Sequence, residues 1–257
     1  MSVKPKKHLG QHFLTDDSIS FKIADSLKCE DQDAVLEIGP GTGVLTRFLV
    51  EENYDLLLCE IDGESVEYLH ENFPELKNKI LHQDFLQKDL SKDFSKPIHI
   101  IGNFPYNIST QILFKVFENR EIVPQVVGMF QKEVAKRIAS EPGNKQYGIL
   151  SVLLQAFYDI EYLFSVPPES FLPVPRVESG VIRLVRNNVK ELKCSTPFFK
   201  AVVKTAFNQR RKTLSNALKP LIGSMDKSNI PYLSLRAEQL TVGQFEELAV
   251  LLENHKT

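Results

Sequence analysis

Short apolar runs alternate along the chain with stretches whose apolar positions recur at helical spacing. The runs around Val35-Leu36, Leu56-Leu57-Leu58, Ile80-Leu81, Ile100-Ile101 and Val126-Val127 are aliphatic and are bounded by polar, Gly or Pro positions. They predict buried strands over 34–38, 55–60, 80–82, 97–102 and 126–130. Between them, helices are predicted over 43–52 (Leu45, Phe48, Leu49), 63–72 before Pro74, 109–117 (Ile112, Leu113, Val116) and 132–140. Thr15-Asp16-Asp17 is an N-terminal capping signal for a helix reaching about Leu27, with Phe13 and Leu14 as its staple. Residues 149–157 read as helical, and 160–166 and 181–185 as two late strands forming an antiparallel edge. This alternation predicts an α/β fold with a mainly parallel sheet. After about Asn187 no strand pattern remains, and 198–207, 214–221, 236–239 and 243–252 suit helices. The expected organisation is one domain over 1–187 and a small all-helical domain over 188–257.

The first of these strands breaks into Gly39-Pro40-Gly41-Thr42-Gly43 and then a helix. Glycine takes positive φ and lets a ligand approach the backbone without a Cβ in the way. Free N–H groups at the helix start favour a negative group. The spacing is G-x-G-x-G, with Val44 where a dinucleotide fingerprint has its third glycine, and no Gly-Lys-Ser/Thr phosphate loop is present. This disfavours a nicotinamide dehydrogenase. Glu37 precedes the glycines and Glu60 closes the next strand, where a carboxylate accepts bonds from both ribose hydroxyls. Alone, Glu60 reads as a solvated strand end; its distance from the glycines makes it a candidate. The pattern resembles the S-adenosylmethionine (AdoMet) pocket of Rossmann-like methyltransferases.

Asn103-Phe104-Pro105-Tyr106 follows the fourth strand, at the sheet edge where open α/β folds bind ligands. Pro105 biases Phe104 toward extended backbone. An amide, a main-chain carbonyl and an aromatic ring then face one cavity. An exocyclic amine on a base needs this set, because its lone pair is delocalised into the ring. Two acceptors hold its hydrogens and draw nitrogen toward tetrahedral geometry, while Tyr106 stacks on the base. Alone, the tetrapeptide is equally a tight turn after a strand.

The 257 residues are 42% hydrophobic and 25% charged, ordinary for a soluble globular protein. No run approaches a membrane span, and the basic N-terminus has no apolar stretch behind it to make a leader. Cys29, Cys59 and Cys194 lack metal spacing, and the six histidines form no HExxH or Cys/His motif. The expectation is reduced thiols in a cytoplasmic protein with no metal. A net charge of −2 does not advertise nucleic-acid binding. Basic residues are nevertheless clustered, at Lys4, Lys6, Lys7 and His8, at Lys132, Lys136 and Arg137, and at Arg210, Arg211 and Lys212. Each cluster alone reads as solvated surface.

The tetrapeptide resembles the Asn-Leu-Pro-Tyr motif of rRNA adenine N6,N6-dimethyltransferases. Further stretches resemble the same family: Gly10-Gln11-His12-Phe13-Leu14, Glu37 to Gly43, Phe171 to Ser179, and Phe207 to Leu214. The last two favour the branch that dimethylates two adjacent adenosines near the 3′ end of small-subunit rRNA, over the branch acting on large-subunit rRNA. The resemblance implies AdoMet as cofactor. His12 and Leu14 would close over its methionine end, largely through backbone, and Gly39 and Gly41 would face it. Glu60 would hold the ribose, Asp84 the adenine amine, and Phe85 the adenine ring through its N–H. Gln11, Glu37 and Ile61 complete that set. Asn103, with Phe104 and Pro105, would sit between methyl donor and target amine, and Phe171 would cover the target base opposite Tyr106. The partner implied is small-subunit rRNA in an immature subunit, touched by the basic clusters, and the enzyme is expected to be a monomer. His12 and Phe104 depart from the commoner Asn and Leu. A binding or assembly factor that keeps the fold is the competing reading from another class.

Overall fold

A computed structural model of the protein describes residues 3–255. β1 (Phe13–Leu14) and α1 (Asp17–Asp25) open the chain. Strand–helix steps follow: β2 (Ala34–Ile38) with α2 (Thr46–Leu49), β3 (Asp55–Glu60) with α3 (Gly63–Asn72), and β4 (Ile80–His82) with the one-turn α4 (Leu90–Asp93). Next come β5 (Ile98–Asn103) with α5 (Ser109–Glu118), then β6 (Gln125–Gln131), α6 (Lys132–Ile138) and α7 (Ile149–Gln155). β7 (Tyr158–Val166), β8 (Phe171–Leu172) and β9 (Ser179–Arg186) end the strands, and α8 (Thr196–Asn208), α9 (Leu214–Ala217), α10 (Lys219–Ile222) and α11 (Val242–Asn254) complete the chain.

Seven strands form one sheet in the order β4-β3-β2-β5-β6-β9-β7. From β4 to β6 every pairing is parallel, and β9 runs antiparallel to β6, with Val126 opposite Leu184. The predicted mainly parallel sheet with an antiparallel edge is thus present. β2 and β5 read as continuous apolar runs because helices cover both faces, and Val35, Leu36, Ile98, Ile100 and Ile101 are fully buried. The strand order reverses at β2, which lies between β3 and β5, so the crevice at their carboxyl ends is the switch point where such folds take ligands.

The chain divides into two compact units, one of residues 1–135 and 160–186, the other of 136–159 and 187–257. The boundary near 187 coincides with the end of the strand pattern, but residues 136–159 group with the C-terminal helices rather than with the sheet. Within that second unit α8 packs on α7 and α11, burying Phe199, Val202, Val203, Phe245 and Leu248, with Phe207 stacked on Phe245 at 5.9 Å.

Several elements differ from expectation for local reasons. The helix expected over 43–52 shrinks to α2, because Gly39, Gly41 and Gly43 all take positive φ and a turn occupies the residues before it. The helix expected over 214–221 breaks at Leu218, and Pro220 opens α10. Phe13 and Leu14 do not staple α1. They pair antiparallel with Leu172 and Phe171 as a two-stranded sheet.

Candidate functional site

Three segments converge on the carboxyl ends of β2, β3 and β5: the glycine turn, the arm over 6–14, and the turn from Asn103 to Tyr106. They share one cavity. A Cβ on Gly41 would come within 2.8 Å of the Phe13 ring, and one on Gly39 within 3.8 Å of Pro105. The glycine turn therefore carries the arm on one side and the tetrapeptide on the other.

Glu60 anchors the cavity. Its buried carboxylate accepts the N–H groups of Gly41 at 3.0 Å and of Ile61 and Asp62 at 2.9 Å. Burial pushes its pKa up, and the three N–H groups pull against it. Glu37 is also buried, where Thr46 Oγ1 donates to it at 2.7 Å. Burial pushes its carboxyl up to about 8 against the Thr46 bond, and the nearby Glu60 adds to the rise. Asp84 caps the turn at Phe85 by accepting the Leu86 N–H at 2.9 Å and Gln87 Nε2 at 3.2 Å.

The arm is clipped to the start of α3. The Lys6 ammonium pairs with Asp62 and with Glu64 at 3.2 Å. The Lys6 N–H donates to Gln11 Oε1 at 2.7 Å, and Gln11 Nε2 donates to Asp62 Oδ2 at 3.1 Å. Burial works to raise the Asp62 pKa, but the Lys6 and Gln11 bonds outweigh it and hold that carboxyl below its usual value.

On the opposite wall, Asn103 Nδ2 donates to the His12 carbonyl at 2.9 Å, which fixes the amide and leaves Oδ1 as an acceptor. The Phe104 ring is fully buried and meets Phe130 edge-on at 5.2 Å, and its N–H donates to the Met129 carbonyl at 3.3 Å. The larger aromatic fits because β5 and β6 have glycine beneath it: Cβ atoms on Gly102 and Gly128 would lie 2.8 and 2.4 Å from that ring. The Tyr106 hydroxyl bonds Ser179 Oγ at 2.5 Å, and burial pushes the phenol up. Its ring stacks on His12 at 5.4 Å, and His12 Nδ1 meets the Pro173 carbonyl at 2.7 Å.

Of the predicted residues, Gln11, His12, Gly39, Gly41, Glu60, Ile61, Asp84, Phe85, Asn103, Phe104, Pro105 and Tyr106 line this cavity. Leu14, Glu37 and Phe171 do not. Register explains two of these placements. Leu14 lies opposite Phe171 across the β1–β8 pair, and both are buried in the core, so Phe13 faces the cavity instead. Glu37 is spent on Thr46 beneath the glycine turn. His12 is the ring that lies against Tyr106 in place of Phe171. Gly10, Gln83, Leu86, Asn107 and Ile108 also line the cavity, and only their adjacency to the recognised motifs signals them.

The basic candidates are less uniform. Lys132 pairs with Glu178 at 2.7 Å. Arg210 donates to the Lys145 carbonyl and lies 3.7 Å from Glu238. Lys136, Arg137, Arg211 and Lys212 are exposed. No helix among the described residues is long and apolar enough to cross a membrane.

A family model described as ribosomal RNA adenine dimethylase matches residues 2–249. The ribosomal RNA small subunit methyltransferase A of Cytophaga hutchinsonii is 56% identical over 252 residues, covering 97% of this chain and 98% of the relative. That of Parabacteroides distasonis is 54% identical over 254 residues, covering 98% and 96%. Among solved structures, a dimethyladenosine transferase from Plasmodium falciparum superposes with a TM-score of 0.77 at 24% identity, covering 95% of this chain and 98% of that one.

Proposed function

Since the chain belongs to the ribosomal RNA adenine dimethylase family, we propose that Asn103 receives the target amine in the cavity that Glu60 anchors. The protein is an AdoMet-dependent rRNA adenine N6-methyltransferase. It dimethylates two adjacent adenosines in a hairpin near the 3′ end of small-subunit rRNA. The observation that carries the residue roles is the shared wall. The Asn103 amide is locked to the His12 carbonyl in the same cavity that receives the Glu60 carboxylate.

The residues fit AdoMet. Gly39 and Gly41 border the cavity with backbone alone, and their positive φ values are ones only glycine takes without strain. Glu60 would hold the ribose hydroxyls, its acceptor state supported by three N–H groups. Asp84 would take the adenine amine, and the Phe85 backbone would border the ring. AdoMet, when bound, would supply the methyl group from its sulfonium, with the neutral thioether leaving, so the protein's task is alignment. In the first transfer Asn103 Oδ1 and the Phe104 carbonyl would accept the two amine hydrogens and draw N6 out of conjugation; in the second the one remaining N–H would go to one of the same two acceptors. No carboxylate base is needed, because the nitrogen becomes acidic only on alkylation.

His12 and Tyr106, 5.4 Å apart, hold no base between them, since a sandwich needs about 7 Å, twice a ~3.5 Å contact. The target adenine therefore stacks on the other face of Tyr106 or displaces His12, a contact of ~1–3 kcal/mol. Reaching it requires the base to leave its loop. Lys132, Lys136, Arg137, Arg210, Arg211 and Lys212 are proposed phosphate contacts, and the helical C-terminal region contributes them in part. A cytoplasmic monomer acting on an immature small subunit completes the reading.

The test incubates the protein with tritiated AdoMet and small subunits lacking adenine dimethylation, then maps the label by nuclease digestion. Label as N6,N6-dimethyladenosine near the 3′ end is expected. Preferential labelling of large-subunit rRNA would overturn the substrate. Retained AdoMet binding without transfer would favour an assembly factor.

A further inference from the structure

At the amino-terminal edge of the sheet, away from the cavity, Cys29, Asp33 and His99 come together. Among the described residues, these are the three whose thiol, carboxylate and imidazole ligand atoms all lie within 4.8 Å of one another. We propose that they form a binding site for a divalent transition metal ion, Zn²⁺ by preference, with a water molecule as fourth ligand.

The fold builds this grouping from two distant stretches. Cys29 and Asp33 flank the turn that leads into β2, and His99 is the second residue of β5, opposite Val35 of β2. The turn is tightly specified. The Asp33 N–H donates to the Glu30 carbonyl at 3.2 Å, and the Glu30 N–H returns to Asp33 Oδ2 at 2.9 Å. Gln32 takes a φ of +65° there, a conformation that costs a non-glycine residue free energy. Asp33 is thereby held beside His99.

His99 is only 9% exposed, in an otherwise aliphatic strand. Its Nε2 lies 3.4 Å from Asp33 Oδ2, long for a hydrogen bond. Its Nδ1 is buried with no partner. A buried imidazole with one long contact and one orphan nitrogen is an exception among buried polar groups, which are nearly always satisfied. A cation placed among the three groups would be held by the Asp33 carboxylate and would take the Cys29 sulfur as thiolate.

The donor set names the class of ion. Thiolate and imidazole select Zn²⁺ and its neighbours in the transition series, whereas Mg²⁺ and Ca²⁺ want oxygen. Three protein ligands with an open fourth position suit tetrahedral Zn²⁺, with bonds of ~2.0–2.3 Å. Cys29 and Asp33 are half-exposed, which gives the ion a way in and water its place. Once bound, the ion ties the turn before β2 to the start of β5. The proposal owes nothing to methyl transfer.

The test uses the untagged full-length protein, stripped by chelator and titrated with Co²⁺ alone. A near-ultraviolet thiolate-to-cobalt band with visible bands of tetrahedral geometry is expected, lost on adding Zn²⁺. Cys29→Ser and His99→Gln should each abolish it, and Cys194→Ser should leave it. In the unmutated protein, Zn²⁺ at about ten times its Kd should slow alkylation of Cys29 roughly tenfold by mass action, read by peptide mass spectrometry. No thiolate band at saturating Co²⁺, a band that survives Cys29→Ser, or Cys29 alkylation indifferent to Zn²⁺ would overturn the site.

Discussion

Glu60 and His99 are both buried and sit on the two strands that flank β2, at opposite ends of the sheet. Glu60 accepts three backbone N–H groups, while His99 has one long contact to Asp33 and one nitrogen with no partner. At the carboxyl edge the main chain preorganises the side chains. Asn103 is fixed by the His12 carbonyl, which aims its Oδ1 before any ligand arrives, and Asp84 is fixed by the Leu86 N–H and Gln87 Nε2. At the amino edge the side chains meet one another with little main-chain support beyond the Glu30 N–H on Asp33. An edge that must align a reaction in one geometry is built from backbone. An edge that only needs to close on an ion can be left for the ion to complete.

Substitutions at the carboxyl edge should break this contrast most severely. Asn103→Ala should lower single-turnover methylation by ~10²–10³-fold, the scale seen when a positioned polar contact to a reacting group is removed. AdoMet affinity should fall only a few-fold, about one neutral hydrogen bond. Equal losses in both would show that Asn103 merely supports the arm. Glu60→Gln should weaken AdoMet ~10–100-fold by titration calorimetry, since bonds to a charged acceptor contribute about 1.5–3 kcal/mol. Unchanged affinity would remove Glu60 from the ribose.

Glu37 sharpens the comparison through pH. Its carboxyl, at 4.5 when unperturbed, titrates near 8 when folded. Below pH 4.5 both states hold the proton and stability is unaffected. From there to about 8 only the unfolded chain ionises, so stability falls by about 1.4 kcal/mol per pH unit and then levels. Glu37→Gln should remove that slope, so its Tm advantage over the parent grows between pH 5 and 8. A constant difference would contradict a neutral Glu37. The smallest effect is expected away from both edges. Arg211→Ala with Lys212→Ala should weaken rRNA binding, with AdoMet binding intact. The logarithmic salt slope of rRNA binding should shrink by ~1 for each phosphate that the variant no longer neutralises.

The parallel sheet was legible because continuous apolar runs separated by Gly, Pro and capping residues leave few alternatives. The spans 34–38, 55–60, 63–72 and 80–82 match the observed elements. The cavity was legible where its residues cluster in sequence, in the glycine turn and the Asn103 tetrapeptide. What escaped was long-range register. Two-residue strands such as Phe13–Leu14 and Phe171–Leu172 have no periodicity to read, yet their pairing decides that Phe13 faces the cavity while Leu14 and Phe171 face the core. Cys29 and His99 escaped for the same reason. No metal-binding spacing joins them, and only the β2–β5 pairing does. The split of 136–159 from the sheet is likewise invisible in a pattern that continues strand and helix without a break.

The Phe104 ring occupies the volume that side chains at Gly102 and Gly128 would need. This makes substitution at either position costly on its own. Enlarging Gly128 first drives a new side chain into the ring, and shrinking Phe104 to Leu first opens a hole in the core, so each single step is a valley. Exchanging the pair together relieves only the contact with Phe104, because a Cβ at Gly128 would still lie 2.7 Å from the Phe130 ring. Gly128 is thus held to hydrogen by two rings at once, Phe104 and Phe130, and the size of the residue at 104 decides only half of that constraint.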